Sequence, residues 1–346
     1  MNPLAWIIFT STLSMSTIII MSSHHWLLAW LGLELNTLSI LPIIIKPHHP
    51  RAAEAATKYF LIQTLAAALI LFASTMNAWQ TGTWNMLLSP SPTSSTILLA
   101  AILLKMGIAP AHLWYPDIIQ GTNMLTALII STWQKLAPLT LLYFTINHMP
   151  LSALLLTGLL STLIGGWAGL NQTQTRKILA FSSIAHMGWL ILALTMNLHL
   201  TTLTMIIYLV TTTTVFLSLA ATATKTLHDL GTAWPHSPPL LATTTITLMS
   251  LGGLPPLTGL MPKLLILKEL TLSGLVLTST LLALMSLPSL YFYTRMTYLA
   301  TLTTPPNTTY ATHKWRFKLK PKMNSPLIAS LATMMLPLTP LIYAHT

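Results

Sequence analysis

The sequence predicts an all-α polytopic membrane protein with about eleven transmembrane helices, and three observations predict it. Only 6% of the 346 residues are charged, against about 25% in a soluble domain. Mean hydropathy is +0.69. The apolar residues fall into long runs, each near the roughly 20 residues that a bilayer span requires. Too little charge is left to cover a water-facing surface, which excludes a soluble enzyme, a disordered tail, a collagen and a nucleic-acid reader. Cysteine is absent, so disulfides, iron–sulfur clusters and Cys-ligated zinc are excluded as well.

The predicted spans are Leu4–Met21, Trp26–Ile45, Thr57–Ala78, Ser94–Ile119, Thr122–Ile146, Leu151–Leu170, Ile178–Asn197, Leu200–Thr224, Pro238–Leu270, Leu272–Thr297 and Ser325–Tyr343. No basic n-region or Arg-rich presequence stands before the first. Either that span is its own insertion signal, or the protein is made in the compartment where it is used. The fourth and ninth spans are too long and too interrupted for simple rods. Gly107, Pro110 and Pro116 break the fourth; Gly252-Gly253-Leu254-Pro255-Pro256, Gly259 and Pro262 break the ninth. Proline removes a backbone donor and clashes with the preceding turn. In lipid such backbone stays open only where protein or a polar cavity covers it. Thr, roughly one residue in seven, is tolerated because its hydroxyl bonds within its own helix.

A net charge of +11 would suggest nucleic acid in a soluble chain, but here the placement of the cations decides. By loop parity, Lys46, Arg51, Lys58, Arg176, Lys177, Lys225, Arg295, Lys314, Arg316, Lys318, Lys320 and Lys322 share the side of the N-terminus, twelve of sixteen. The opposite side holds only Lys268, beside Glu269. The positive-inside rule then puts the N-terminus on the cytosolic or matrix side and the C-terminus across the membrane.

The other three cations lie within spans: Lys105 in the fourth, Lys135 in the fifth, and Lys263 after the break in the ninth. Glu34 is halfway along the second span and His186 halfway along the seventh; His112 lies beyond the break in the fourth. A charge at a helix centre costs roughly 2.5–3.5 kcal/mol, so four cost on the order of 10 kcal/mol before pairing. Glu34 neutralising one lysine would leave two unexplained, and lysines this deep cannot easily snorkel out. For His112 and His186 a hydrogen-bonded packing role weighs as much as a functional one. A buried lysine with a movable carboxylate beside it takes up and releases protons near neutral pH. The pattern therefore predicts a hydrated, lysine-rich proton path in the membrane plane, with water, Ser, Thr and His bridging between helices.

The two broken spans are five apart, so they run in opposite directions. Two inverted five-helix repeats are expected, residues 1–146 and 147–297, followed by a basic loop and a last helix over 298–346. Interrupted helices at matching positions of inverted repeats point to a transporter's ion site. Glu34 in the first repeat has His186 as its counterpart in the second.

Five stretches resemble the antiporter-like membrane subunits of respiratory complex I. They are Trp30-Leu-Gly-Leu-Glu34-Leu-Asn36, Lys105-Met-Gly-Ile-Ala-Pro-Ala-His112-Leu-Trp114 with Pro116-Asp117, Trp133-Gln-Lys135-Leu-Ala-Pro138, Arg176-Lys-Ile-Leu-Ala-Phe-Ser-Ser-Ile-Ala-His186-Met-Gly188, and Gly252-Gly-Leu-Pro-Pro-Leu-Thr-Gly259 with Lys263. The resemblance runs the length of the chain and implies a mitochondrial inner-membrane protein contributing to proton translocation driven by electron transfer from NADH to ubiquinone. It implies that Glu34 and Lys105 form a switching pair, Lys135 a central relay and Lys263 an exit-side or inter-subunit relay, with His112 and His186 as further candidate relays. Bacterial members have fourteen helices; eleven here match the animal form, which lacks three at the N-terminus. Phe181 stands where relatives often carry Tyr, so no hydroxyl role is assigned there.

No strand-flanked Gly-x-Gly-x-x-Gly is present, so this chain is expected to bind no cofactor and no metal. NADH, FMN, iron–sulfur clusters and ubiquinone would belong to other subunits of the complex. The expected partners are other membrane-arm subunits and anionic lipid such as cardiolipin, the latter at His313-Lys-Trp-Arg-Phe-Lys-Leu-Lys-Pro-Lys322 with its five cations and no acid. A stand-alone cation/proton antiporter, or a spacer whose charges only hold the bundle together, would use the same midplane lysines.

Overall fold

The structure, a computed structural model, describes residues 3–86, 91–232, 238–302, 325–340 and 343; the basic stretch 313–322 lies outside them. Among the described residues every extended element is a helix, and the only bridges are the isolated pairs His25–Asn85 and Gln174–Thr226. Among the described residues, eight helical stretches are long and apolar enough to cross a membrane. The chain divides into two compact units, Met1–Thr157 and Gly158–Thr346.

The first unit opens with α1 (Pro3–Ser22), α2 (Trp26–Ile45) and α3 (Pro50–Thr81). Each start has a local cause. The ring nitrogen of His25 accepts from the N–H of Leu27, and that of His49 accepts from Arg51, with Pro50 in the first turn, where its missing donor costs nothing. Gly32 brings α1 and α2 close: a Cβ there would stand 2.6 Å from Ile20 Cγ1. Then come α4 (Pro92–Met106), α5 (Trp114–Gly121), α6 (Met124–Ser131) and α7 (Trp133–Thr145). α3 packs on α4 and α5, and α7 on α4, α1 and α2.

The second unit takes in most of α8 (Leu151–Gly169), then α9 (Thr175–Met196), α10 (Leu198–Thr222), the short α11 (Leu227–Thr232), α12 (Pro238–Gly252), α13 (Leu260–Leu272), α14 (Val276–Leu302) and a last helix over Ser325–Met334. α9 is its axis, buried along nearly its whole length and in contact with α10, α13 and α14. The threonines behave as expected in an apolar medium. Thr211, Thr212 and Thr214 of α10 bond to the carbonyls of Ile207, Tyr208 and Thr211, so none needs a partner on another helix.

Three features differ from the sequence reading. The fifth span is kinked at Thr132 (φ −111°, ψ −70°) rather than continuous; neither Gly nor Pro marks the site. α3 begins at Pro50, not Thr57, because its cap and Pro50 start it through the charged residues Arg51, Glu54 and Lys58. Arg295, counted with the loop cations although inside its predicted span, lies well within α14, which runs on to Leu302 rather than ending at Thr297, and donates to the Leu170 carbonyl just past α8, at 2.6 Å.

Candidate functional site

The fourth and ninth spans break in the same way. Gly107 and Gly253 both take left-handed backbone, φ +67° and +87°, which glycine alone adopts without strain. The N–H of each glycine and of the residue after it turn back onto the last carbonyls: Ile108 on Leu103, and Leu254 on Met249. This is the Schellman close of a helix end. Proline follows three residues after each glycine (Pro110, Pro256) and nine after (Pro116, Pro262), and the second half-helix starts at the seventh, Trp114 or Leu260. Read side by side, the two stretches Gly-x-x-Pro-x-x-x-x-x-Pro are one local design used twice. This alignment, overlooked in reading the spans, also pairs Asp117 with Lys263.

In the first unit the break gathers two lysines. Lys105 occupies the last turn of α4 before Gly107, and Lys135 the first turn of α7 after the kink at Thr132. They are 7% and 2% exposed. Lys135 lies over the Tyr115 ring at 4.8 Å, a geometry that suits a desolvated cation. Lys105 Nζ is buried with no hydrogen-bond partner among the described residues. Both line a cavity with about 20 Å³ open to the centre of a water molecule, edged also by Asn36, Tyr59, Gln63 and Gln134. A water needs about 10–15 Å³ by this measure and two to four polar neighbours, so the cavity has room for one water. Its polar wall is already ordered: Gln134 donates to Asn36 at 3.0 Å, Tyr59 donates to Gln134 at 3.4 Å, and Gln63 donates to the Lys105 carbonyl at 3.4 Å. Sequence reasoning assigned none of Asn36, Tyr59, Gln63 and Gln134 a role. Asn36 and Gln134 fall within the matched stretches, but only helix packing brings them together.

Glu34, half-buried on α2, acts electrostatically on Lys105 without touching it. Ion pairs are seen instead at Lys58–Glu54, 2.8 Å, and Lys58–Asp117, 3.2 Å. Glu34 Oε2 is buried and unpartnered. A buried carboxylate oxygen and a buried ammonium therefore stand in one neighbourhood, each lacking a direct bond. His112 sits in the break, 8% exposed, with Nδ1–H donating to the Pro110 carbonyl at 3.2 Å; it does not line the cavity.

In the second unit Lys263 lies in the first turn of α13 and reaches back across the break. Its ammonium donates to the carbonyls of Leu251 and Gly252, at 3.2 and 3.0 Å, which are among the final, otherwise unbonded acceptors of α12. The Trp189 ring lies 5.9 Å away. Lys263 and His186 line a second cavity, with about 30 Å³ open to the centre of a water, together with Tyr208, Thr204 and Thr211. The hydroxyl hydrogens of both threonines are committed to their own helix, on the carbonyls of Thr201 and Ile207, so toward the cavity they present lone pairs. His186 Nε2 is 3.2 Å from the Tyr293 hydroxyl. Among the described residues no three His, Cys, Asp or Glu side chains are grouped to hold a metal.

Comparison with known proteins places this arrangement. The family described as NADH:quinone oxidoreductase/Mrp antiporter, transmembrane, matches residues 23–289, and NADH dehydrogenase subunit 2 C-terminus matches residues 290–343. The NADH-ubiquinone oxidoreductase chain 2 proteins of Carassius auratus and Gallus gallus are each 50% identical to this chain, covering 100% and 99% of both partners. Among solved structures, a chain of respiratory complex I from Thermus thermophilus superposes with a TM-score of 0.84 at 26% identity, over 97% of this chain and 80% of that one. A chain of the Mrp complex from Dietzia shares the fold, with a TM-score of 0.79 at 14% identity over 97% of this chain and 73% of that one. The chain belongs to the NADH-ubiquinone oxidoreductase chain 2 family, within the NADH:quinone oxidoreductase/Mrp antiporter membrane proteins.

Proposed function

We propose that this chain is a core membrane subunit of respiratory complex I that helps to move protons across the mitochondrial inner membrane as electrons pass from NADH to ubiquinone. The observation that carries the reading is the unpartnered, buried Lys105 beside Glu34, sharing a water-sized cavity with Lys135. A purely structural lysine in an apolar bundle would be paired or would reach the interface. One left without a bond is poised to exchange its proton. A carboxylate drawn close holds a proton on a buried amine, and its withdrawal lets the proton pass on. Glu34 is thus the switch, Lys105 and Lys135 successive carriers with water between them, and Lys263 the carrier of the second unit. His186, on the same cavity as Lys263, is a further relay. His112, held in the break of the fourth span, is a weaker candidate because it faces neither cavity.

The distribution of cations supports an N-terminus in the matrix and a C-terminus in the intermembrane space. The repeated design of the two breaks supports two inverted repeats, residues 1–146 and 147–297. NADH, FMN, the iron–sulfur clusters and ubiquinone are assigned to other subunits, and this chain to coupling alone. Its partners are the neighbouring membrane-arm subunits, and anionic lipid such as cardiolipin at residues 313–322.

The test is proton uptake per NADH oxidised, measured on the assembled complex in proteoliposomes. Lys105→Ala and Lys135→Ala should each lower it while the complex still assembles; intact pumping in both would end the proposal. A native gel stained for NADH dehydrogenase activity separates it from the antiporter reading, which expects this chain in a smaller, inactive band.

A further inference from the structure

Buried nitrogen and oxygen atoms are almost always bonded to protein or to ordered water. α2 and α3 carry five that lack a partner among the described residues: Nε1 of Trp26 and of Trp30, Oε2 of Glu34, and both amide atoms of Asn77. Trp26 and Asn77 are each 2% exposed, so bulk solvent does not satisfy them. The first three residues follow at every fourth position of α2, which stacks them on one face of the helix. Each step rises about 6 Å, a distance that two hydrogen bonds of about 2.8–3.0 Å meeting at one water can cover. α3 packs on α2 and ends where α2 begins: the Trp26 N–H donates at 3.1 Å to the carbonyl of Trp84, just past the end of α3. Asn77, one turn before that end, belongs with Trp26 at the outer end of the stripe. Glu34, halfway along α2, is its inner end.

The side chains differ in what they can give. An indole N–H only donates, a primary amide donates and accepts, and a carboxylate accepts while charged and donates once protonated. A water held by an indole N–H spends a lone pair there and keeps both hydrogens for its neighbours. We infer that α2 and α3 hold a file of ordered waters through which Glu34 exchanges its proton with the face of the membrane on which α2 begins. The O–H bond of the Glu34 carboxyl breaks as its proton joins the water at Trp30. That water passes one of its own hydrogens outward, along the waters at Trp26 and Asn77, and the last of them gives a proton to solvent. Uptake runs the same steps in reverse. The indoles part with no proton; Trp26, Trp30 and Asn77 are positioning residues that keep the waters in line.

The inference rests on the reading of Glu34 as a proton switch, and the experiment separates the two. Brief X-ray irradiation of the assembled complex splits ordered water into hydroxyl radicals, which oxidise the ring beside them, and mass spectrometry reads the sites. Trp26 and Trp30 should be oxidised several-fold faster than Phe216 and Phe292, rings each 1% exposed that offer water no polar atom. Asn77→Leu should slow the oxidation of Trp26 several-fold. Trp30→Phe, which removes the N–H, should lower proton uptake per NADH roughly 3- to 10-fold, the equivalent of one net hydrogen bond, and should have no further effect in a Glu34→Gln background. Oxidation of Trp26 and Trp30 no faster than that of the two phenylalanines would mean a dry seam and overturns the inference alone; this arm needs no variant to assemble. Full pumping in Trp30→Phe, or an equal loss with and without Glu34, does the same. Full pumping in assembled Glu34→Gln overturns the switch reading, and this inference with it.

Discussion

The two broken spans are built alike and loaded differently. Both turn at a left-handed glycine, both place proline three and nine residues later, and both resume a helix at the seventh. In the first, the lysine precedes the break, Lys105, and the tenth residue after Gly107 is Asp117, tied to Lys58 at an exposed edge. In the second, the residue matching Lys105 is Leu251, and the tenth after Gly253 is Lys263. The consequence is electrostatic. A cation that follows the break can fold back onto the open carbonyls, where the negative end of the helix dipole favours it. A cation that precedes it points away from those carbonyls and must find its surroundings elsewhere, here a cavity, a carboxylate it does not touch and a second lysine. One break anchors its lysine, and the other leaves its lysine available.

Substitutions that treat the two breaks unequally put this contrast at risk, and the largest effect should come from Gly259→Ala. A Cβ there would fall on the Ser250 backbone carbonyl, which cannot step aside, at a cost of at least about 3 kcal/mol. The aligned residue of the first break, Leu113, is 76% exposed, so Leu113→Ala should stay within about 0.5 kcal/mol. The amount of assembled complex on native gels and its thermal midpoint report both. Next, Lys263→Met strips two carbonyls of a charge-assisted partner and should cost about 2–3 kcal/mol. Lys105→Met removes a buried, unbonded ammonium and should leave the thermal midpoint unchanged or raised while pumping falls. Equal destabilisation by the two substitutions would collapse the distinction.

The smallest effect belongs to a loop of the second unit outside the spans. Asp229 accepts from the N–H groups of Thr226 and Lys225 at 2.8 and 3.1 Å, and Thr226 Oγ1 accepts from Asp229 N–H, closing the start of α11 reciprocally. The Thr226 N–H, then that of Lys225, hold this carboxyl below the usual carboxylate range. Its stabilisation is thus complete above the unfolded value, 3.8, and fades as pH falls through the lower folded one. Asp229→Ala should cost about 0.5–1 kcal/mol near neutral pH and nothing in strong acid, as amide-exchange protection at Leu227 and Asp229 would show.

Much of this was legible in the sequence, for identifiable reasons. Hydropathy finds spans, and Gly107, Pro110, Gly253 and Pro256 announce their own breaks because each imposes or forbids a backbone geometry. The kink at Thr132 escapes such reading, since Ser131-Thr132-Trp133 carries no obligatory backbone signal. The lysines, too, were visible as costly residues in apolar runs. Their different circumstances were not: spacing locates a Cα, while the reach of a four-carbon stem decides whether Nζ meets a carbonyl or a cavity. The Gln134–Asn36 and His186–Tyr293 bonds join residues 98 and 107 positions apart, and no local pattern encodes such pairings.

The glycines between α8 and α9 bear on tempo. A Cβ on Gly158 would stand 2.7 Å from Leu192 Cγ, one on Gly165 2.6 Å from the Ala185 nitrogen, and one on Gly188 would overlap the Ser161 hydroxyl. Backbone thus approaches backbone closely on both sides of His186. In the proposed relay, a histidine on this backing would work by ring and hydroxyl reorientation, picosecond-to-nanosecond events, rather than by helix shifts that take microseconds to milliseconds. On that proposal, the slow step of a cycle would be set outside this helix pair.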